Sequence, residues 1–270
     1  RQQVNLINKS LEDVLISLWL PDDLYIDAHH KANKHHTYYY CVFNDMQLNT
    51  GGRLYGHYTQ NLKKKYRPYI TIGHTVTQEV DFVGFHPNML YHKCKLQLPE
   101  ADPYEIDLIE RKLVKLIFNI LLNCSTKSEA IKAIMNKIEE KGLKLPVEVV
   151  AKIYINQIID LLLKKHKPIN KYFFQSQPVG LELQKLDSEI AVGVMLQMIE
   201  KHNTKSLSIH DSFIVQSEYT ACLKEVMCDV YKSHLGFSPQ VSDNVSKVIA
   251  LPLTDTPIEG HDLYAQDAKN

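Results

Sequence analysis

Leu207-Ser208-Ile209-His210-Asp211-Ser212-Phe213-Ile214-Val215 sets two short apolar runs on either side of the polar pair His210-Asp211. Such runs read as the arms of a β-hairpin with the dipeptide at its tip. A second stretch has the same texture. Thr75-Val76-Thr77-Gln78-Glu79-Val80 leads into Asp81, and the alternation from Pro68 to Val80 breaks at a turn around Gly73-His74. Both aspartates stand where extended segments end, at the rim of a sheet. Either alone reads as a solvated turn residue; together they point to chemistry. Two-metal phosphoryl transfer needs such a pair, because cations about 3.5–4 Å apart must be neutralised by fixed oxygen ligands. The ions would be Mg2+ or Mn2+. A His-Asp phosphohydrolase site is the rival for His210-Asp211, but there the dipeptide belongs to a helix, and here both flanks read as extended.

Working outward, Ser10 to Leu20 reads as an amphipathic helix with Ser10 as cap, Leu11, Val14, Leu15 and Leu18 on one face, and Pro21 as its stop. Tyr38 to Phe43 is aromatic and β-branched, a strand. From Pro103 onward, Ile106, Ile109, Leu113, Leu116, Ile117, Ile120 and Leu121 recur at helical spacing, and a second helix follows Ser128 and ends near Gly142. Pro146 opens a further helix with Val150, Ile153, Tyr154, Ile158 and Leu161 on its apolar side. Residues 181–201 and Tyr219 to Leu235 are helical, and the tail after Pro252 is irregular. Arg111 and Lys115, four residues apart, project from one helical face, where two cations would clamp a triphosphate.

The 270 residues are 44% hydrophobic, enough for a real core. With 31 basic and 31 acidic residues, global charge does not announce a nucleic-acid partner, which has to rest on local patches. Three patches exist: Lys63, Lys64, Lys65 and Arg67; Arg111, Lys112 and Lys115; Lys164, Lys165 and Lys167. Five cysteines without a CxxC pair fit a reducing compartment, so the expected location is cytoplasmic. No apolar run approaches the roughly 20 residues of a membrane span. The sequence opens on Arg1, which leaves room for residues upstream and a removed targeting segment. His29, His30, His35 and His36 match no structural zinc spacing and read as a solvated loop.

The order of these pieces resembles the family A polymerases, the superfamily of DNA polymerase I and the single-subunit phage-type RNA polymerases. Gly52-Arg53-Leu54 with Gln60-Asn61-Leu62 is similar to the family's GRL…QN segment; Val80-Asp81-Phe82-Val83-Gly84-Phe85-His86 resembles motif A. Arg111 and Lys115 fall on the Arg and Lys of motif B. Leu183-Gln184 with Asp187-Ser188-Glu189-Ile190 is similar to the helix before motif C, and Ile209-His210-Asp211-Ser212-Phe213 resembles motif C in its RNA-polymerase-like form. The resemblance spans roughly residues 51–235. It is nearest to a group of proteins from bacterial mobile elements that carry GGRLYG and HDSFIV. It implies an α+β fold: a palm-like antiparallel sheet with packed helices, a reduced helical fingers region and little or no thumb. The implied division is 1–50 N-terminal helix and loop, 51–102 palm with motif A, 103–180 fingers-like helices, 181–250 palm with motif C, and 251–270 tail.

The implied roles follow residue by residue. Asp81 and Asp211 bind metal, Arg111 and Lys115 bind triphosphate, Arg53, Gln60 and Gln184 contact the primer-template duplex, and His210 braces the hairpin or touches the primer end. His86 and Asn88 stand where the family's DNA polymerases carry Glu and Arg, Asn123 and Cys124 where motif B ends in Tyr-Gly, and Ser212 where those enzymes carry Glu. His86 and Asn123 would thus face the nucleotide sugar, and the family's sugar selectivity does not carry over. The expected function is nucleotidyl transfer on a primer-template with nucleoside triphosphates. The alternatives are a catalytically degenerate palm that binds nucleic acid or protein, and a metal-dependent nuclease.

Overall fold

Gly73 and His74 both take positive φ, 56° and 63°, the mirror-image turn whose twist matches that of two antiparallel strands. The computed structural model describes residues 2–21, 24, 26, 32–43, 51–99, 102–143, 145 and 151–243. In chain order it contains α1 (Gln2–Glu12), β1 (Ile16–Leu18), β2 (Tyr40–Phe43), β3 (Gly51–Tyr55), β4 (Ile70–Ile72), β5 (Thr75–Phe82), α2 (Phe85–Lys93), α3 (Arg111–Leu121), α4 (Lys127–Glu140), α5 (Ala151–Lys165), α6 (Val179–His202), β6 (Leu207–Ile209), β7 (Ser212–Gln216), α7 (Thr220–Leu235) and β8 (Val241–Asp243). The class is α+β. The main sheet is antiparallel, ordered β1-β4-β5-β7-β6, with β8 on the far end of β5; β2 and β3 form a separate ribbon.

Helix α6 is the longest of the described helices, with Leu183, Ile190, Val194, Met195 and Met198 among its buried residues and Glu182, Glu189 and Glu200 exposed, and it touches β3, α1, β6 and α7. Gly193 permits the approach of α7, since a Cβ there would sit 2.9 Å from Val230 Cγ1. Helix α7 lies against β5, β7 and β8. Under the sheet, the Phe82 and Phe85 rings stack at 4.5 Å and Tyr231 closes on Phe82 at 5.7 Å. Helices α3, α4 and α5 pack on one another as a lateral group. Among the described residues no helix is long and apolar enough to cross a membrane, and all five cysteines are free.

Several boundaries differ from the sequence reading. The first helix is Gln2–Glu12, with Val4, Ile7 and Leu11 as its buried stripe, and Ile16–Leu18 is a strand paired with β4; Ser10 donates to the Ile7 carbonyl and caps nothing. Tertiary pairing overrides a short helical pattern there. Residues 102–110 are turns with an Ile106–Ile109 bridge, and helix begins only at Arg111; Asp102 accepts the Tyr104 N–H at 2.9 Å, a local turn that competes with helix. Helix α4 starts one residue before Ser128, with Thr126 capping Glu129 N. Pro146 and Val150 lie outside the described residues, as do His29, His30 and the tail after Pro252. In α5 the buried face is Ile155, Ile158, Ile159 and Leu162, while Ile153 and Leu161 are exposed.

One contact fixes the hairpin tip. β6 ends the sheet, so among the described residues its outer edge has no strand partner. Tyr39, 1% exposed, takes that edge: its hydroxyl accepts the Ser208 N–H at 3.1 Å and donates to the Ser208 carbonyl at 3.3 Å. Asn8 on α1 holds Tyr39 in turn, through its backbone N–H (2.8 Å) and carbonyl (2.9 Å). Tyr39→Phe is expected to cost about 1–3 kcal/mol, because two buried backbone groups lose their partner; urea unfolding should show a lower midpoint at unchanged slope.

Candidate active site

Strands β5 and β7 run antiparallel from Thr77↔Gln216 to Asp81↔Ser212, and on the next rung the Phe82 N–H donates to the Asp211 carbonyl at 3.2 Å. Asp81 and Asp211 thus sit one residue out of register on neighbouring strands. The His210-Asp211 loop has only two residues, between paired Ile209 and Ser212. His210 adopts φ 57°, which a two-residue hairpin loop demands at its first central position and which His tolerates better than most side chains.

Burial first, then the charges of Asp211 and Glu79, push Asp81 up to about 7, with Lys115 and Lys64 opposing the shift. Its Oδ1 is buried without a hydrogen-bond partner. Glu79, two residues earlier, is itself engaged: it accepts from Arg67 at 3.0 Å and from the Ser212 hydroxyl at 2.6 Å. His86, at the start of α2, is lowered by burial and then by Arg53, while Asp211 and the Asn119 side chain hold it up. His210 is exposed at the tip yet lowered by loss of hydration and by Arg53, with Asp211 opposing.

Cations close the site on two sides. On β3, Arg53 bonds Asp187 of α6 at 2.7 Å and feels the charge of Asp211. Asp187 is pushed up to about 6 by burial, against the pull of Arg53. Ser188 donates to the Gly52 carbonyl, so α6 holds β3 at two successive residues. On α3, Lys115 acts on both Asp81 and His86 and lies 5.6 Å from the Tyr104 ring centroid. Arg111, one turn back, is engaged by Asp102 and lies 5.3 Å from the centroid of the same ring. Tyr104 is buried and feels Asp211, so it forms the floor between α3 and the hairpin.

Of the residues singled out in the sequence, Asp81, Asp211, His86, His210, Arg53 and Lys115 act on one another here. Gln184 lies half-buried on α6, one turn before Asp187. Gln60 is 8% exposed and its amide donates to the Leu54 carbonyl at 3.1 Å, which makes it a prop for β3. Asn123 closes α3, donating to the Asn119 carbonyl at 2.7 Å and filling the space over Gly180, where a Cβ would meet its Oδ1 at 2.1 Å. Asn119 is the amide that faces His86. It lies four residues beyond Lys115 and eight beyond Arg111, so helical spacing was the signal for it. Asn88 donates to the carbonyls of Val83 (2.7 Å) and Gly84 (3.1 Å), a structural use of that position. Glu79 and Tyr104 are site residues that sequence patterns did not mark, and Asp187, quoted only within the run before motif C, was given no role there.

Among the described residues no three His, Cys, Asp or Glu side chains converge to hold a metal ion. Asp81 and Asp211 nevertheless suit Mg2+, which is bound through one or two carboxylates and completes its shell with water and phosphate oxygens. The orphaned Asp81 Oδ1 and the mutual repulsion of the two carboxylates are what a divalent cation would relieve.

No protein-family model and no curated protein matches the chain. Among solved structures it is similar to the polymerase domain of Pol1 from M. smegmatis in complex with DNA primer-template and dNTP, at 11% identity and a TM-score of 0.39, over 75% of this chain. The match takes in 46% of that chain's length.

Asp81 provides a titration test. An unfolded Asp ionises near about 3.9 and the folded Asp81 at about 7, so between these values only the unfolded state has released its proton. Stability from this group is therefore complete below about pH 4 and is lost as pH rises to about 7. Asp81→Asn should melt above the wild type at about pH 8 in metal-free buffer, with the gap closing toward about pH 4. In Asp211→Asn, the Asp81 midpoint followed by NMR should fall.

Proposed function

We propose that this protein is a metal-dependent nucleotidyltransferase, a small polymerase-type enzyme that extends a primer with nucleoside triphosphates. The observation that carries this reading is the placement of Asp81 at the end of β5 diagonally across from Asp211 at the hairpin tip, with one Asp81 oxygen buried and unpartnered, Lys115 acting on Asp81 and Arg53 acting on Asp211. The motif order along the chain supports the same reading.

Bound divalent cations would supply activation of the primer 3′-hydroxyl and neutralisation of the departing pyrophosphate. The residues of the chain do the rest. Lys115 binds the triphosphate on the side opposite the hairpin, and Arg111, engaged by Asp102, meets the distal phosphates at the mouth. Arg53 is aimed by Asp187 and contacts the strand at the carboxylates; Gln184, on the same helix, lies beside it along the duplex. Gln60 acts through β3, which it supports. His210, at the strained tip, stands by the primer end. His86, held neutral by burial and by Arg53, lies on the sugar side of the triphosphate with Asn119. Nothing on that side carries the family's carboxylate, so discrimination between ribo- and deoxynucleotides is weak. Positioning and preorganised charge supply the rate enhancement.

Purified protein with Mg2+ or Mn2+ should extend a labelled primer on a template with either sugar type, and Asp211→Asn should slow this by about 100-fold or more with little change in melting temperature. Wild-type protein that binds primer-template but incorporates nothing, across both metals and both sugars, would favour a binding module. Shortening of the primer would favour a nuclease, and extension that survives Asp211→Asn would sink the assignment of the site.

A further inference from the structure

The turn that carries Tyr104 is held from outside by the end of α5. Within the turn, the Glu105 N–H donates to the Asp102 carbonyl at 3.1 Å and the Tyr104 N–H to the Asp102 carboxylate at 2.9 Å. Its remaining carbonyl capacity needs donors, and two successive residues of α5 and its C-terminal flank supply them. Lys165 donates to the carbonyls of Asp102 (2.7 Å) and Glu105 (2.5 Å), and His166 Nε2 donates to that of Pro103 (2.9 Å). Basic residues at the end of a helix ordinarily offset the dipole of that helix. These two reach a segment 60 to 63 positions back along the chain.

His166 is 1% exposed, and its tautomer follows from its partners. The Pro103 carbonyl only accepts, so Nε2 carries the proton and Nδ1 accepts from the Tyr91 hydroxyl of α2 at 3.3 Å. Burial lowers its pKa; the Pro103 carbonyl opposes the shift and Lys165 adds to it. The ring lies 5.3 Å from that of Phe118 on α3, which meets the Tyr104 ring edge-on at 5.6 Å. From the turn, two side chains reach the cations of α3. The Asp102 carboxylate engages Arg111 through Nε and Nη2, and the Tyr104 ring centroid lies 5.3 Å from the Arg111 guanidinium and 5.6 Å from Lys115 Nζ.

We infer that Lys165 and His166 are positioning residues for the triphosphate side of the candidate site: they fix the 102–105 turn, and the turn, through Asp102 and Tyr104, sets Arg111 and Lys115. This rests on the reading of Arg111 and Lys115 as triphosphate contacts. Both are exposed on α3, where long side chains have many rotamers open to them. A fixed carboxylate and a fixed ring beside them narrow that choice before a ligand arrives, which lowers the ordering cost of binding. The chemistry at 165 suits the task, since an ammonium carries three donors and two carbonyls of one turn take two of them. The carboxylate side of the site needs none of this, because the β5–β7 ladder places Asp81 and Asp211.

The test reads binding of ATP and of dATP to the full chain in Mg2+ by titration calorimetry, without primer or template. Lys165→Met keeps the aliphatic stem and removes both donors; it should weaken binding about five- to tenfold, as for charge-assisted phosphate contacts that are loosened rather than lost. Lys165→Arg, which can donate to both carbonyls, should restore most of that affinity. His166→Phe should behave as Lys165→Met, and the half-buried Lys165 decides the matter if that variant does not fold. In an Arg111→Ala background the effect of Lys165→Met should shrink to about twofold, since a residue that acts through Arg111 then has less to position. In primer extension, KM for the nucleotide should rise by the same factor at nearly unchanged kcat, with primer-template affinity preserved. A lowered melting temperature with unchanged nucleotide affinity and KM overturns the positioning role and leaves the nucleotidyltransferase reading standing. Additive effects of Lys165→Met and Arg111→Ala overturn it too, as does an equal loss of primer-template affinity, which marks general disruption. Wild-type protein that binds neither nucleotide overturns both readings.

Discussion

The ladder between β5 and β7 is the constraint on which everything else depends. Side chains alternate across a strand, so a slip of one residue in this register would carry Asp81 to the opposite face and put Val80 or Phe82 at the rim. Three features hold the register. Val80, Phe82, Phe213 and Val215 are all buried, so a slip would expose apolar rings and branched chains. The two-residue turn at His210-Asp211 fixes the offset of β6 and β7. Tyr39 clamps the outer edge of β6, anchored in turn by α1. A carboxylate pair that repels itself needs that rigidity, since a looser hairpin would let Asp211 swing away from Asp81.

The site is therefore built against local stability. Two carboxylates share a partly dehydrated rim, a third, Glu79, lies close by and is neutralised by Arg67, and a fourth, Asp187, is buried under Arg53. The two ion pairs differ from surface pairs, which contribute little. Each offsets part of a negative charge near Asp81 and Asp211 while fixing an element: Arg67 ties β5 to the segment before β4, and Arg53 ties β3 to α6.

The sheet was largely legible from the sequence because its signals are local: alternation in Pro68–Val80, a Gly73-His74 turn, and two apolar arms around His210-Asp211. The helical stretches were legible in kind, with errors where local chemistry and tertiary pairing outrank periodicity. Pro103 and Asp102 shape turns that mimic the start of a helix, and Ile16–Leu18 becomes a strand only because β4 stands beside it. A site residue that comes from a single position on a distant segment, such as Tyr104, has no pattern of its own. Gln60 and Asn123 illustrate the reverse. Both were expected at the site from the resemblance, yet the structure ties Gln60 to the β3 backbone and sets Asn123 at the packing of α3 on α6, while Asn119 faces His86.

The Arg53–Asp187 pair joins residues 134 positions apart, and the β5–β7 ladder joins segments equally distant. Neither can form until nearly all of the described chain exists, and the closure of so long a loop carries an entropic cost before any contact offsets it. The helices between the two halves, α3 to α5, contact mainly one another and can form early. The order of assembly that this implies is helices first and carboxylate rim last, with slow, topology-limited folding. A chain interrupted during synthesis before β7 would hold β5 with an unpaired edge and a lone Asp81. In that state the strand is open to pairing with any other chain, and premature termination poses an aggregation hazard as well as an incomplete rim.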